Sequence, residues 1–308
     1  ASSSEAGKIS SAHQVRRGET DGELRMKTAR REFLLGIVAG SMALGHGWAG
    51  GARPLEATEV EALNAARRDA GRIRRRVIFN NDGDDIWAEG ADTKEKFLAS
   101  RHTPLLGTNV DSIFYCTTQS FNHFTHDTRV AEIFTARTGQ FANNQLARFI
   151  DQKYTDGLRM STEFALANGL ETIWTLRMND IHDAWTPAFL SKWKQQDPTR
   201  VMSTLEEAKQ YNDRRRLWSL VDFEHPDVEP RMLEIIEEVL VNYDVDGIEL
   251  DFLRAPCYFR TTYEGKPATG KQVDVLTQLV SKIRSLLRKQ GELQGKPFLL
   301  AARVPSTP

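Results

Sequence analysis

The sequence predicts an α/β protein with a parallel sheet, and within that class a (β/α)8 TIM barrel of which residues 50–308 hold about the first five βα units. Five short apolar runs, rich in β-branched and aromatic residues, recur at wide intervals with helix-period segments between them, the alternation that builds βαβ units. No Gly-x-Gly-x-x-Gly and no P-loop follows any run, which argues against a doubly wound nucleotide-binding sheet. A full barrel needs eight strands. Five imply a partial barrel with open edges, and the expectation that the remaining strands belong to a longer protein continuing past Pro308.

The elements follow in order. Residues 1–25 are polar and Ser-rich, which predicts disorder or a mis-assigned start, since Met26 stands where an export signal would begin. Residues 26–49 read as that signal: Lys27-Thr28-Ala29-Arg30-Arg31-Glu32-Phe33-Leu34-Leu35 enters an apolar stretch ending near Leu44, followed by Gly47-Trp48-Ala49. The stretch is too short to cross a bilayer, which takes ~20 residues, so no stable membrane span is expected. Arg30-Arg31 before Glu-Phe-Leu has the form of a twin-arginine signal, making the twin-arginine export machinery a partner and the destination periplasmic or secreted. A charged helix over about 55–76 then leads into a first strand at 77–80, and further strands fall at 113–116, 173–176, 248–252 and 298–301. Met232, Leu233, Ile236, Val239, Leu240 and Tyr243 keep the spacing of one buried helical face, and Val273, Leu276, Leu279, Val280, Ile283 and Leu287 repeat it.

Composition narrows the function. The chain carries 41 Lys+Arg against 42 Asp+Glu, so it has no electrostatic footprint for nucleic acid. Cys116 and Cys257 are too few for a disulfide scaffold or a thiolate zinc site, and both are expected as buried thiols. The acidic run 80–85 lacks the order of an EF-hand, and His123-Phe124-Thr125-His126 lacks the His-Glu-x-x-His of a metalloprotease helix, so neither a metal nor a cofactor is expected. No Gly-x-Ser-x-Gly elbow marks a serine hydrolase.

Strand parity selects the candidate site. In Asp246-Gly247-Ile248-Glu249-Leu250-Asp251-Phe252 the apolar residues share one parity and pack under helices, while Glu249 and Asp251 share the other and face the interior at successive levels. Two inward carboxylates on an otherwise apolar strand are costly without a task or a partner. The same test turns Thr175, Arg177 and Asn179 inward on the third strand, Leu299, Ala301 and Arg303 on the fifth, and Ile78 and Asn80 on the first. Arg177 and Arg303 would hold Asp251 ionised, because a nearby cation favours a carboxylate. After the third strand, Arg177-Met178-Asn179-Asp180-Ile181-His182-Asp183 opens a long loop carrying Trp185, Phe189, Trp193, Tyr211 and Trp218. Flat aromatic faces amid Asp, Asn and Arg suit the apolar face and hydroxyl rim of a sugar ring.

Trp218-Ser-Leu-Val-Asp-Phe-Glu-His-Pro-Asp-Val228, Tyr243-Asp-Val-Asp-Gly-Ile-Glu-Leu-Asp-Phe-Leu-Arg254 and Arg177-Met-Asn-Asp-Ile-His182 resemble the glycosyl hydrolase-like 10 family over roughly residues 74–304. The resemblance implies an exported TIM-barrel protein acting on carbohydrate. Asp246-Gly-Ile-Glu-Leu-Asp251 is also similar to the Asp-Gly-x-x-x-Asp of α-amylase-type enzymes, whose last Asp is the nucleophile and maps to Asp251; Glu249 replaces their usual Arg. Family 18 chitinases end the same strand on a Glu, which is Leu253 here, so chitin cleavage is disfavoured.

The expectation is therefore a glycoside hydrolase that cuts an oligo- or polysaccharide with carboxylate chemistry. Asp251 is the first catalytic candidate and Glu249 the second. Asn80, Arg177, Asn179, Asp180, His182, Trp185, Trp218, Arg254 and Arg303 are the substrate-binding candidates. The alternatives are a non-catalytic carbohydrate- or cell-wall-binding barrel, and a metal-dependent hydrolase using the 82–85 run or His123 and His126.

Overall fold

The computed structural model describes residues 54–153, 155–211 and 216–306. The expected start segment and export signal lie outside the described residues.

Helix α1 (Ala57–Arg72) opens with the Glu59 carboxylate accepting from the Glu56 N–H at 2.9 Å, and precedes β1 (Val77–Asn81). Helix α2 (Lys94–Arg101) and β2 (Val110–Cys116) come next. An excursion after β2 forms a small separate sheet from β3 (Thr118–Ser120), β4 (His123–Phe124) and β5 (Glu132–Ile133). Helices α3 (Leu146–Lys153) and α4 (Gly157–Ala167) lead to β6 (Glu171–Arg177). The expected long loop contains the short helices α5 (Lys192–Gln196) and α6 (Leu205–Ala208). Then come α7 (Val228–Asn242), β7 (Gly247–Asp251), α8 (Arg260–Tyr263), α9 (Gly270–Gln294) and β8 (Leu299–Arg303).

The main sheet runs β1-β2-β6-β7-β8, every neighbouring pair parallel and in chain order. All five predicted strands are present. Ile113, Tyr115, Trp174, Leu176, Ile248 and Leu250 point from it into one core shared with the buried faces of α4, α7 and α9. Burying these side chains on one face fixes the register, since a one-residue slip would turn every one of them outward. Below the sheet, Arg75 forks onto Glu171, which also accepts from Ser112 at 2.6 Å, tying the entry to β1 to the first residues of β6 and to β2.

The sheet is curled. Hydrogen-bonding register carries Asn80 through Phe114, Ile173 and Gly247 to Leu299, yet the Arg303 guanidinium reaches the Asn80 amide oxygen at 3.3 Å. Side chains on strands one and five of a flat sheet stand about 19 Å apart at ~4.8 Å per strand, so this contact demands strong curvature. The partner also lies four residues along from the register mate over four strand steps. One residue of stagger per strand is the shear of an eight-stranded barrel. The described residues do not close into a barrel, however: β1 and β8 are the sheet's edges and do not pair with each other. Helix α1 packs against α9 and β8, with buried Arg67 lying beside Gly291. Ile78, on the concave side, stays 46% exposed. Both cysteines are buried free thiols, as expected. Among the described residues no helix is long and apolar enough to cross a membrane.

Candidate functional site

Helices cover the convex face, so polar chemistry collects on the concave face and at the C-terminal strand ends. Glu249 and Asp251 stand there at successive levels of β7, both buried. Register sets Thr175, Glu249 and Ala301 on one level and Arg177, Asp251 and Arg303 on the next. The Glu249 carboxylate accepts from the Thr175 hydroxyl at 2.9 Å and from Arg303 at 2.6 and 3.2 Å. Burial pushes the Glu249 carboxyl above its ordinary value, and the Arg303 ion pair only partly offsets this. Asp251 has one oxygen accepting from the Leu253 N–H at 2.9 Å and the other 3.5 Å from Arg303.

Arg177 departs from expectation. Its Cα pairs with that of Asp251, but its guanidinium turns to Asp180 at 3.0 Å, Asp82 at 2.8 Å and the Thr118 carbonyl. Arg303 alone of the two predicted arginines contacts Asp251. Burial works against charge on Arg177, yet Cys116, Asp180 and Asp82 around it outweigh burial and raise its pKa. Burial likewise raises Asp82, but Arg177 and Arg254 overcome it and hold Asp82 below the ordinary carboxylate range. Arg254 stays largely exposed, 3.9 Å from Asp82. Asp180 is wholly buried; its second oxygen accepts from the His182 backbone N–H at 2.8 Å and contacts the His182 ring Nδ1. That fixes the imidazole and turns Nε2 away from Asp180.

The turn after β1 brings Asp82 to this cluster. Gly83 sits at φ +78°, and a Cβ there would meet the Cys116 carbonyl oxygen at 2.0 Å, so only glycine lets the turn lie against the end of β2. The Asn81 side chain accepts from the Gly83 N–H and from Arg101, and donates to buried Asp85 at 2.7 Å. Asp85 is a structural anchor, further bonded by Ser100 at 3.1 Å and paired with Arg101 at 3.3 Å. Asp84 differs. It is half-buried, and among the described residues its carboxylate makes no hydrogen bond or ion pair. Burial, then Asp82, raise its pKa against Arg101, Arg177 and His182.

Two predicted binding residues are structural. Asn179 is buried, donating to the Val221 and Cys257 carbonyls and accepting from the Val221 N–H, so it laces two loops together and offers nothing to a ligand. Trp218 is buried with Ala184 and Ala208, its indole donating to the Ala184 carbonyl at 3.0 Å. Trp193 is buried too, under Arg200 at 4.4 Å. Trp185, in contrast, is 60% exposed, with Arg216 over its ring at 4.0 Å. Asn80, Arg177, Asp180, His182, Arg254 and Arg303 all reach this concave mouth, directly or through Asp82. Strand parity alone does not pair Arg177 with Asp82, nor does it separate Asp84 from the acidic 80–85 run. The signal was there: Asn-Asp-Gly-Asp-Asp follows the first strand directly, at the end where barrel sites form.

The considered metal sites do not assemble. His126 is fully buried among Phe124, Trp174 and Tyr243, its Nδ1 2.8 Å from the Thr117 hydroxyl, and burial lowers its pKa to about 3. His123 turns instead to Glu132, 3.6 Å away. Arginines engage Asp82 and Asp85. A different trio, Asp197, His225 and Asp227, lies close together, but Arg200 pairs with Asp227 and the Asp227 N–H donates to His225 Nδ1. Those contacts explain the trio without a cation.

No protein-family model matches the chain, and no curated protein matches it. Among solved structures it is similar to α-L-fucosidase isoenzyme 2 from Paenibacillus thiaminolyticus, at TM-score 0.42 and 15% identity over 74% of this chain and 32% of that one. It is also similar to the GH36 α-galactosidase AgaB from Geobacillus stearothermophilus (0.43, 12%, 75% and 28%). A third likeness is to the α-galactosidase from Lactobacillus brevis (0.41, 11%, 77% and 28%). The chain thus spans about a third or less of these proteins. Likeness at this level carries no argument about activity or residues.

Proposed function

We propose that this protein is a glycoside hydrolase of the (β/α)8 class, resembling the glycosyl hydrolase-like 10 family, that cleaves an oligo- or polysaccharide. The observation that carries the proposal is the pair of carboxylates on β7. Both face the concave side of a curled parallel sheet, and Asp251 stands nearer the C-terminal mouth, where barrel enzymes keep their chemistry. Asp251 acts on the anomeric carbon as nucleophile or stabilising anion. Glu249, one level deeper with Thr175, orients Arg303 at the level of Asp251. His182 Nε2, Arg254 and Asn80 meet sugar hydroxyls, and exposed Trp185 offers a ring face to a pyranose. In the same reading residues 26–49 direct the protein through twin-arginine export to the periplasm or beyond.

Asp251→Asn keeps the side chain's shape and removes its charge. Hydrolysis of a glycan the parent cleaves should fall at least ~10²–10⁴-fold, with the melting temperature nearly unchanged. Near-parental turnover refutes the assignment. The engagement of Glu249 by Arg303 favours a second reading, a carbohydrate-binding barrel without turnover. A parent that binds glycans, loses binding on Trp185→Ala and releases no sugar establishes that reading instead.

A further inference from the structure

We propose that Asp84 is the proton-transferring carboxyl of this site, the acid that complements Asp251; the inference rests on the glycosidase reading above. Glu249 and Asp85 are not free for the task. Glu249 is held by Arg303 and Thr175, and Asp85 by Asn81, Ser100 and Arg101. Asp82 and Asp180 each neutralise Arg177. Asp84 remains, half-buried and without a hydrogen-bonded or ion-paired partner among the described residues.

Its position is built. Gly83, clamped against the Cys116 carbonyl, fixes the turn that carries Asp84 at the C-terminal end of β1. The charged groups around it are Arg101, Asp82, Arg177, His182 and its neighbour Asp85. Arg177 links it to the other carboxylate, since the Arg177 backbone pairs with Asp251 while its guanidinium holds Asp82, two residues before Asp84. Burial favours the neutral acid, the form that can give a proton. In cleavage the Asp84 O–H proton passes to the glycosidic oxygen as the C1–O bond breaks and its electron pair moves onto that oxygen. The departing sugar leaves as an alcohol, and the Asp251 carboxylate faces the positive charge at C1. Water then bonds to C1 and returns a proton to Asp84, which restores the acid.

The test compares the parent with Asp84→Asn on two classes of glycoside in one panel. An alkyl glycoside needs its leaving oxygen protonated; a 2,4-dinitrophenyl glycoside does not. Loss of the acid should slow the alkyl substrate ~10²–10⁴-fold and the dinitrophenyl substrate far less. Carboxyl-carbon NMR of Asp-labelled protein should show one resonance titrating above the ordinary aspartate range and missing in Asp84→Asn. Equal losses on both substrates, or an Asp84 resonance titrating at or below ordinary values, overturn the assignment while leaving the glycosidase reading intact. A parent that cleaves no glycoside in the panel overturns that reading, and this role with it.

Discussion

Two histidines make the stability of this fold steeply dependent on pH, and the size of the effect follows from where they sit. His126 is enclosed by Phe124, Trp174 and Tyr243, and His102 packs on Phe97, Tyr115 and Phe164 with its Nε2 3.0 Å from Ser161. Burial lowers the pKa of His126 to about 3; burial and then nearby Arg101 lower that of His102 to about 4. An unfolded histidine titrates near 6.5. Below that pH the unfolded chain takes up a proton at each position while the folded chain refuses it, so stability is full above ~6.5 and falls as the solution is acidified. At pH 5 each residue costs roughly 2 kcal/mol, from 1.5 units at ~1.4 kcal/mol each. Together that is ~4 kcal/mol, a large share of the ~5–15 kcal/mol that holds a typical protein folded. The assay is urea unfolding of the parent and His126→Gln at pH 7.5 and pH 5. The variant starts less stable because it loses ring contacts, but it should lose ~2 kcal/mol less on acidification. Carboxylates far from His126 titrate alike in both proteins and cancel. A gap between parent and variant that is the same at both pH values refutes the reasoning.

Other expectations follow from single contacts. Gly83→Ala forces a left-handed backbone on alanine and drives its Cβ into the Cys116 carbonyl, so it should cost roughly 2–4 kcal/mol by chemical denaturation. Glu249→Gln leaves the partly buried Arg303 without its main partner; a loss of roughly 1–3 kcal/mol is expected, and an unchanged urea midpoint would show the ion pair to be idle. Replacing Arg30 and Arg31 by Lys should trap the protein in the cytoplasm on cell fractionation, and undiminished export would end the twin-arginine proposal.

Much of the architecture was legible because strands and helices advertise their periods. Ile248 and Leu250 against Glu249 and Asp251 is an alternation that only one arrangement satisfies, and the structure sorts these residues by that parity. Parity, however, assigns a face and not a partner. Arg177 lies on the expected face, yet its long side chain turns away from Asp251 to Asp82 and Asp180, a choice made by loop geometry that no strand pattern encodes. Asn179 and Trp218 differ from expectation for a related reason. A polar or aromatic residue in a long loop looks free in sequence, whereas a loop that packs must consume its own side chains to satisfy its backbone, as Asn179 does for Val221 and Cys257. Asp84 does not stand out in sequence because three acids within four residues blur into one charge run; the turn around Gly83 gives each a separate fate.

The contact between Asn80 and Arg303 joins residues 223 positions apart, and α1 packs on β8 across a similar stretch of chain. Synthesis advances at ~5–20 residues per second, so the first strand waits roughly 10–45 s on the ribosome before its far partner is made. During that interval the outer edge of β1 is an invitation to strand pairing with neighbouring nascent chains, and among the described residues it stays unpaired afterwards, with Val77 43% and Ile78 46% exposed. The curl brings the two ends of the sheet within side-chain reach without pairing their backbones, so the hazard of that edge outlasts synthesis.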